Sequence, residues 1–162
     1  MTLKMKDPKD LYFAIERPFA DYCACLDEGE IEQWPTLFTE TGCYQMISRE
    51  NYDQGYPIPL VLLDSRAMME DRVYSLRNAN IFSPHRYRHA QSGIRVTGQN
   101  GEFVAVSSSY IVAQTLDDGE TQLYQAGSYY DELVEIDGEL KFQKRLVVYD
   151  TARVKTLLAT PV

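Results

Sequence analysis

The fold is decided by residues 88–149, which read RHAQSGIRVTGQNGEFVAVSSSYIVAQTLDDGETQLYQAGSYYDELVEIDGELKFQKRLVVY. Three turn signals divide this stretch at even intervals: QNG at 99–101, DDG at 117–119 and IDG at 136–138. Asn-Gly and Asp-Gly readily adopt the positive φ that tight hairpins need. The runs between them are rich in Val, Ile, Tyr, Phe and Thr, which favours strands. With a lead-in strand at about 88–97, the pattern predicts four long antiparallel strands joined by short connections.

The second face of these strands is not the charged face that water normally meets. An antiparallel sheet with one exposed face alternates between apolar and charged side chains, whereas this face carries small residues and tyrosines with few charges. One explanation is a strongly curved sheet that wraps its own core. The other is a sheet whose second face meets another chain, and we expect this one because protein interfaces are enriched in tyrosine. The candidate interface residues on these strands are Tyr110, Tyr124 and Tyr130.

The residues before this stretch predict about three helices that cover the sheet. The first begins at Asp7-Pro8 and ends at Gly29, and Pro18 inside it should kink or restart it. A short second helix is expected at 30–38 and a third at 66–80, with a short strand at 43–47 and a loop at 48–59. The predicted fold class is therefore α+β, with the helices on the concave face of a strongly curved antiparallel sheet that forms a cone.

Length and composition indicate a soluble globular protein. A chain of 162 residues is expected to form one domain, 1–162. Its content of 44% hydrophobic and 25% charged residues is ordinary for a globular domain. The net charge of −8 disfavours a nucleic-acid partner and an anionic membrane surface. The longest apolar run, 58–63, is short and contains a proline, so no membrane span is expected.

Cysteine usage and the N-terminal sequence point to the cytoplasm. The three cysteines, Cys23, Cys25 and Cys43, are odd in number and form no C-x-x-C pair. Small buried thiols of this kind are typical of a reducing compartment. The first residues are charged and contain no apolar core, so we expect no signal peptide.

The two histidines, His85 and His89, lie within the sequence HRYRH. Their spacing would suit a metal only on a helix, and the preceding Pro84 and following strand argue against one, so we expect no metal site. Arg86 and Arg88 should lie on one face of a strand and seek carboxylates, either within this chain or on a partner.

An acid–base site inside the cone is an alternative to a purely structural role. Its candidates are His89, Asp21 and Tyr44, with Asp64 as a further carboxylate. A single histidine at the start of a strand is more often a structural residue, and the sequence contains no phosphate loop, nucleophile elbow or dinucleotide fingerprint.

Several motifs resemble one family along nearly the whole chain. The run WPTLFTE at 34–40, followed by GCY at 42–44, resembles the helix-to-strand signature of small (β) subunits of Rieske-type aromatic-ring-hydroxylating dioxygenases. The third helix resembles theirs at DSR (64–66), Met69 and DR (71–72), and RYRH at 86–89 resembles the motif that opens their sheet. Among subgroups, the chain is most similar to subunits that serve salicylate, anthranilate, benzoate or terephthalate.

The resemblance implies a cone of the nuclear-transport-factor-2-like, or cystatin-like, type. It also implies a hexamer of three large (α) and three small subunits, in which the large subunit carries a Rieske [2Fe–2S] cluster and a mononuclear iron. Rieske ligation needs two Cys and two His, and the spacings Cys-x-His and Cys-x-x-His do not occur here. We therefore expect this chain to bind no cofactor, to trimerise, and to support catalytic large subunits that degrade aromatic carboxylates.

Two rival functions share the same cone fold. The first is a free-standing, cofactor-free dehydratase or isomerase, which should act as a purified single chain and depend on His89. The second is a ligand-binding or adaptor protein without an iron-containing partner. The motifs of the third helix and of the strand that opens the sheet favour the dioxygenase subunit over both.

Overall fold

A computed structural model describes residues 7–79, 84–151, 158 and 160–162. Its three α-helices are α1 (Pro8–Asp27), α2 (Arg49–Gln54) and α3 (Arg66–Asn78), with a short 3-10 helix at Trp34–Leu37. Its six strands are β1 (Phe38–Ser48), β2 (Val61–Leu63), β3 (His85–Gln99), β4 (Val104–Leu116), β5 (Thr121–Ile136) and β6 (Glu139–Tyr149). They form one sheet in the order β2-β1-β6-β5-β4-β3.

The predicted meander is confirmed by strands β3 to β6, which pair antiparallel in sequence order. Two of its three turns use the residues and the positive φ that the sequence indicated, whereas neither Asn100 nor Gly101 in the first turn has a positive φ. Asp137 and Gly138 have φ values of 52° and 85°, and Gly119 has 86°, which is the left-handed region that tight hairpins require. Local turn chemistry therefore sets the order of four of the six strands.

Strand β1 joins this meander by parallel pairing with β6, and β2 pairs antiparallel on its far side. A parallel pair needs a long connection, and here the connection contains α2, β2, α3 and the strands β3, β4 and β5. The four-strand meander thus becomes a six-strand sheet that is predominantly antiparallel and not closed.

The three predicted helical segments lie on the concave side of the sheet. Helix α1 begins at the Asp7 cap and continues through Pro18 as one element, so of the two expected effects of Pro18, a kink or a restart, the helix shows no restart. The apolar face of α1 is buried in the core and holds the helix there. The second segment is a 3-10 helix shorter than predicted, and α3 is capped by Ser65 as expected. Asn80, the predicted end of α3, lies outside the described residues.

Helix α2 was not predicted, because residues 48–59 were expected to be a loop. It packs on the convex face of the sheet, against β1 and β6. There it buries Ile47 of β1 and Val148 of β6, which are register partners. The preceding residues, Met46 and Val147, point to the opposite face of the sheet, into the main core. Tyr52 of α2 stacks on Tyr130 of β5, with ring centroids 5.4 Å apart. The convex face around Ile47, Val148 and Tyr130 is therefore covered by the chain itself.

The other two tyrosines proposed as interface residues lie in the core, and that prediction is corrected. Tyr110 is only 2% exposed and Tyr124 1%. The alternate residues of β4 that include Tyr110 form its core face. Tyr124 is an extra residue at a β-bulge in β5, since Val112 pairs with Gln125 but Ala113 pairs with Leu123. The bulge turns Tyr124 inward.

The helices in the described part of the chain are all too short or too polar to cross a membrane.

Candidate functional site

The concave interior is built around a fully buried ion pair between two neighbouring strands. Arg145 of β6 and Asp131 of β5 are register partners. The guanidinium donates from Nε to Asp131 Oδ1 at 2.9 Å and from Nη2 to Oδ2 at 2.8 Å. Both side chains are 0% exposed. A bidentate ion pair of this kind is strong and directional. Removing either partner would leave an uncompensated charge in an interior closed to water, which is strongly destabilising.

Four aromatic rings enclose the guanidinium of Arg145. Its central carbon lies 4.1 Å from the centroids of Tyr22 and Tyr129, 4.3 Å from Phe142 and 5.1 Å from Phe19. Cation–π attraction is largest where water is excluded. Although burial opposes the charge, the Asp131 carboxylate holds the pKa of Arg145 above its ordinary value, so the side chain stays charged. Helix α1 is therefore fastened to the sheet through a cation.

Residue Val162 fills another part of the interior and is fully buried. Its carbonyl oxygen accepts hydrogen bonds from the hydroxyls of Tyr22, at 2.8 Å, and Tyr44, at 3.1 Å. Its backbone N–H donates to the Tyr44 hydroxyl at 3.3 Å. The phenol groups that could have faced a substrate instead hold the chain's own backbone.

A second buried pair joins the end of α1 to the edge strand β3. The carboxylate of Asp27 accepts from the backbone N–H of His89, with N–O distances of 2.9 and 3.1 Å, and lies 2.6 Å from His89 Nδ1. Because an ionised carboxylate only accepts hydrogen bonds, Nδ1 of His89 carries a proton in this pair. His89 Nε2 is buried and has no hydrogen-bond partner among the described residues.

The structure does not assemble the acid–base site that was considered from the sequence. His89 pairs with Asp27, which was not among the candidates. Asp21 lies on the exposed side of α1, where its carboxylate is 3.9 Å from Arg17. Asp64 is also exposed, and the Tyr44 hydroxyl is engaged with Val162. The helical periodicity of the sequence does not show which of Asp27 and Asp21 is buried. The two differ because β3 packs against Asp27 and not against Asp21.

We expect Asp27→Ala to lower the free energy of unfolding by about 1–3 kcal/mol, because it leaves a buried backbone N–H of β3 and the His89 ring without an acceptor. Asp27→Asn should cost less, since its amide oxygen still accepts from His89. The matched control is Asp21→Ala on the same helix, expected to change stability by less than about 0.5 kcal/mol. Urea denaturation measures all three. Equal effects of Asp27→Ala and Asp21→Ala would contradict this role of Asp27.

The described residues contain no group of three or more His, Cys, Asp or Glu side chains that could hold a metal ion. All three cysteines are free thiols. Burial raises the pKa of Cys23 to about 11 and that of Cys25 to about 12. Because the thiolate is the reactive form, neither is activated as a nucleophile at neutral pH.

Comparison with known proteins decides between two functions for this cone fold, a free-standing dehydratase and a subunit of a dioxygenase. The family model described as "Ring hydroxylating beta subunit" matches residues 23–156. This chain belongs to that family. The anthranilate 1,2-dioxygenase small subunit of Burkholderia cepacia is 41% identical over 162 residues, covering 100% of this chain and 98% of the relative. A terephthalate 1,2-dioxygenase terminal oxygenase component subunit beta 2 of a Comamonas species is 35% identical over 142 residues, covering 88% and 92%.

A solved structure also supports the assignment of this chain to the beta subunits. The structure, assigned as the beta subunit of an aromatic-ring-hydroxylating dioxygenase of Novosphingobium aromaticivorans, has a TM-score of 0.87 and 43% identity, covering 95% of this chain and 98% of that one. The predicted family and cone fold are confirmed. The chain is a component of an oxidoreductase rather than its catalytic subunit, and its partner is a large α subunit.

The remaining interface candidates of this beta subunit lie on the convex face or at its edge. Arg86 and Arg88 are exposed on β3. Arg88 Nη1 lies 3.9 Å from Asp27 Oδ2, too far for a hydrogen bond, and Arg86 has no ion-pair partner in the described part of the chain. Tyr130 is half-buried beneath Tyr52. Arg88 thus forms a loose ion pair within the chain, and Arg86 is exposed.

Proposed function

We propose that this chain is the structural small subunit of a dioxygenase that hydroxylates an aromatic carboxylate. The observation that carries the proposal is the end-to-end match, at 41% identity, to the small subunit of an anthranilate dioxygenase. The terephthalate relative also acts, by its name, on an aromatic carboxylate. The interior of the cone supports a structural role, because Arg145 binds Asp131 and the Tyr22 hydroxyl binds the chain's own backbone at Val162.

The assembly that we propose is a hexamer of three large and three small subunits, with the small subunits in contact as a trimer. The large subunit would supply the Rieske [2Fe–2S] cluster and the mononuclear iron, and this chain would bind neither. Arg86 and Arg88 would bind carboxylates of a neighbouring subunit, which their exposure supports. Three free thiols support a cytoplasmic location for the complex.

The proposal is tested by co-purification. We expect this chain, tagged and co-expressed with a large subunit from its own organism, to retain that subunit in equimolar amount. The complex should contain iron and show the electron paramagnetic resonance signal of a reduced Rieske cluster. The matched control is the tagged chain expressed alone, which should be colourless and inactive. Turnover of a dehydratase substrate by the chain alone, or failure to retain the large subunit, would contradict the proposal.

A further inference from the structure

The turn between β3 and β4 is closed by a side chain rather than by a left-handed backbone, since neither Asn100 nor Gly101 has a positive φ. Asn100 Oδ1 accepts from the backbone N–H of Glu102 at 2.8 Å and from that of Phe103 at 2.9 Å. The backbone N–H of Asn100 donates to the carbonyl oxygen of Phe103 at 3.1 Å. In such an Asx turn the asparagine side chain folds back over the residues that follow it. The carboxamide of Asn100 is therefore held over residues 101–103.

The same hydrogen bonds make the carboxamide of Asn100 more electrophilic. Two N–H groups donate to one oxygen, so they withdraw electron density from the carbon that carries it, Cγ. They also stabilise the negative charge that develops on this oxygen when a nucleophile attacks Cγ, as the N–H groups of an oxyanion hole do in acyl transfer. The turn thus favours attack at the side chain of Asn100.

Gly101 supplies an unhindered nucleophile next to that carbon. Its backbone nitrogen closes a five-membered ring when it bonds to Asn100 Cγ, and glycine has no Cβ to shield the nitrogen. Asn100 and Gly101 are both exposed, so water and hydroxide reach them. Among the residues that the structure describes, none accepts a hydrogen bond from Gly101 N. The nucleophile and the electrophile are therefore adjacent and open to solvent.

Asn78 in helix α3 shows the opposite arrangement. Its Nδ2 donates to the carbonyl oxygen of Tyr74 at 2.9 Å. The next backbone nitrogen, that of Ala79, donates to the carbonyl oxygen of Ser75, also at 2.9 Å. Both the side-chain amide and the following nitrogen are held by the helix, so Asn78 is a control for Asn100 within the same chain.

We propose that Asn100 is a site of spontaneous deamidation, which converts it to aspartate and isoaspartate. Gly101 N bonds to Asn100 Cγ, the bond from Cγ to Nδ2 breaks, and Nδ2 leaves as ammonia with the proton that Gly101 N gives up. Water then opens the resulting succinimide ring. Cleavage between this nitrogen and Cγ leaves aspartate, whereas cleavage between the nitrogen and the α-carbonyl carbon leaves isoaspartate. The net reaction consumes one water and releases one ammonia.

The modification changes the end of an edge strand. Strand β3 lies at the edge of the sheet and pairs with β4 alone, and their register is already irregular near the turn, between Val96 and Gly98. Each product places a new negative charge beside Glu102, and isoaspartate lengthens the backbone of the turn by one methylene group. We therefore expect β3 to separate from β4 near the turn in the modified chain. The reaction needs no other subunit, so its test is independent of the proposed function.

Peptide mapping by mass spectrometry tests the proposal on the purified, folded chain during incubation at neutral and mildly alkaline pH. The peptide that contains Asn100 should gain the mass difference between NH2 and OH and separate into two chromatographic species. The peptide that contains Asn78 should remain unmodified. The isoaspartate species should accept a methyl group from S-adenosylmethionine when an isoaspartyl methyltransferase is added, and the aspartate species should not. The rate should rise with pH, because the attacking nitrogen must lose its proton.

Two variants separate the electrophile from the nucleophile. Asn100→Ser keeps a hydroxyl acceptor for the turn but has no side-chain carbonyl carbon, so modification at position 100 should be lost. Gly101→Ala gives Asn100 the same following residue that Asn78 has, and it should react more slowly than the wild type but faster than Asn78, because only the turn is exposed. An Asn100 that stays intact, equal modification at Asn100 and Asn78, or a Gly101→Ala variant as fast as the wild type would overturn the inference.

Discussion

Arg145→Met is expected to lower the free energy of unfolding by about 3–5 kcal/mol, the usual cost of removing one partner from a buried ion pair. The cause is the carboxylate of Asp131, which would remain in a site that is fully closed to water. The four aromatic rings around the guanidinium would also lose their cation. Urea unfolding of the purified chain, followed by circular dichroism, measures the effect.

The double variant Arg145→Met/Asp131→Leu separates the cost of an orphaned charge from a loss of packing. Replacing a buried pair with apolar residues of similar volume is often neutral or stabilising, so the double variant should recover most of the stability that the single variant loses. An exposed pair provides the surface control: Arg17→Met removes a contact with Asp21 at 3.9 Å and should cost less than about 0.5 kcal/mol. If Arg145→Met cost no more than Arg17→Met, the buried ion pair would not stabilise the interior of this chain.

Gly127→Ala is expected to cost about 3 kcal/mol, the upper part of the range for overpacking, and to reduce the yield of soluble protein. A Cβ atom at this position of β5 would clash with the carbonyl oxygen of Val148 in the neighbouring strand and lie 3.0 Å from Tyr110 Cε1 and Tyr149 Cα. Two of these atoms belong to the backbone of β6 and its end, so the clash cannot be relieved by a side-chain rotation. Thermal denaturation measures the loss.

The matched control for this prediction is Gly98→Ala in β3. The added Cβ there would lie 3.7 Å from Ala105 Cβ, an ordinary contact. Because glycine weakens a strand by its backbone entropy, this change should be neutral or slightly stabilising. A Gly127→Ala variant as stable as Gly98→Ala would show that β5 and β6 can separate locally to admit a methyl group.

The part of the fold that could be predicted is the part with local signals. The turns at 117–119 and 136–138 are recognisable from Asp and Gly at fixed positions, so the order of β4, β5 and β6 follows. The pairing of β1 with β6 has no local turn residues that predict it. Its register partners, such as Tyr44 and Arg145, are far apart in sequence, and their contact depends on tertiary packing. Helix α2 was missed because its six residues give too short a period to recognise.

The interior site was hidden by β-bulges. Gln143 is an extra residue in β6, since Leu133 pairs with Phe142 and Glu132 with Lys144. Phe142 and Arg145 therefore share the core face although they are three positions apart, and strict alternation places them on opposite faces. The motifs at 34–44 and 86–89 nevertheless identified the family. They are matched residue by residue to the family's motifs, so β-bulges that disturb strand alternation do not affect them.

The parallel pairing of β1 with β6 has a consequence for how this chain is made. Tyr44 meets Arg145, which a ribosome adds 101 positions later. At typical rates of about 5–20 residues per second, β1 waits roughly 5–20 seconds for its partner. During that time β2 is the only strand paired with Tyr44 and Met46, both of which are buried in the finished core. The sheet therefore cannot be completed around this core until the last strand, β6, has been made.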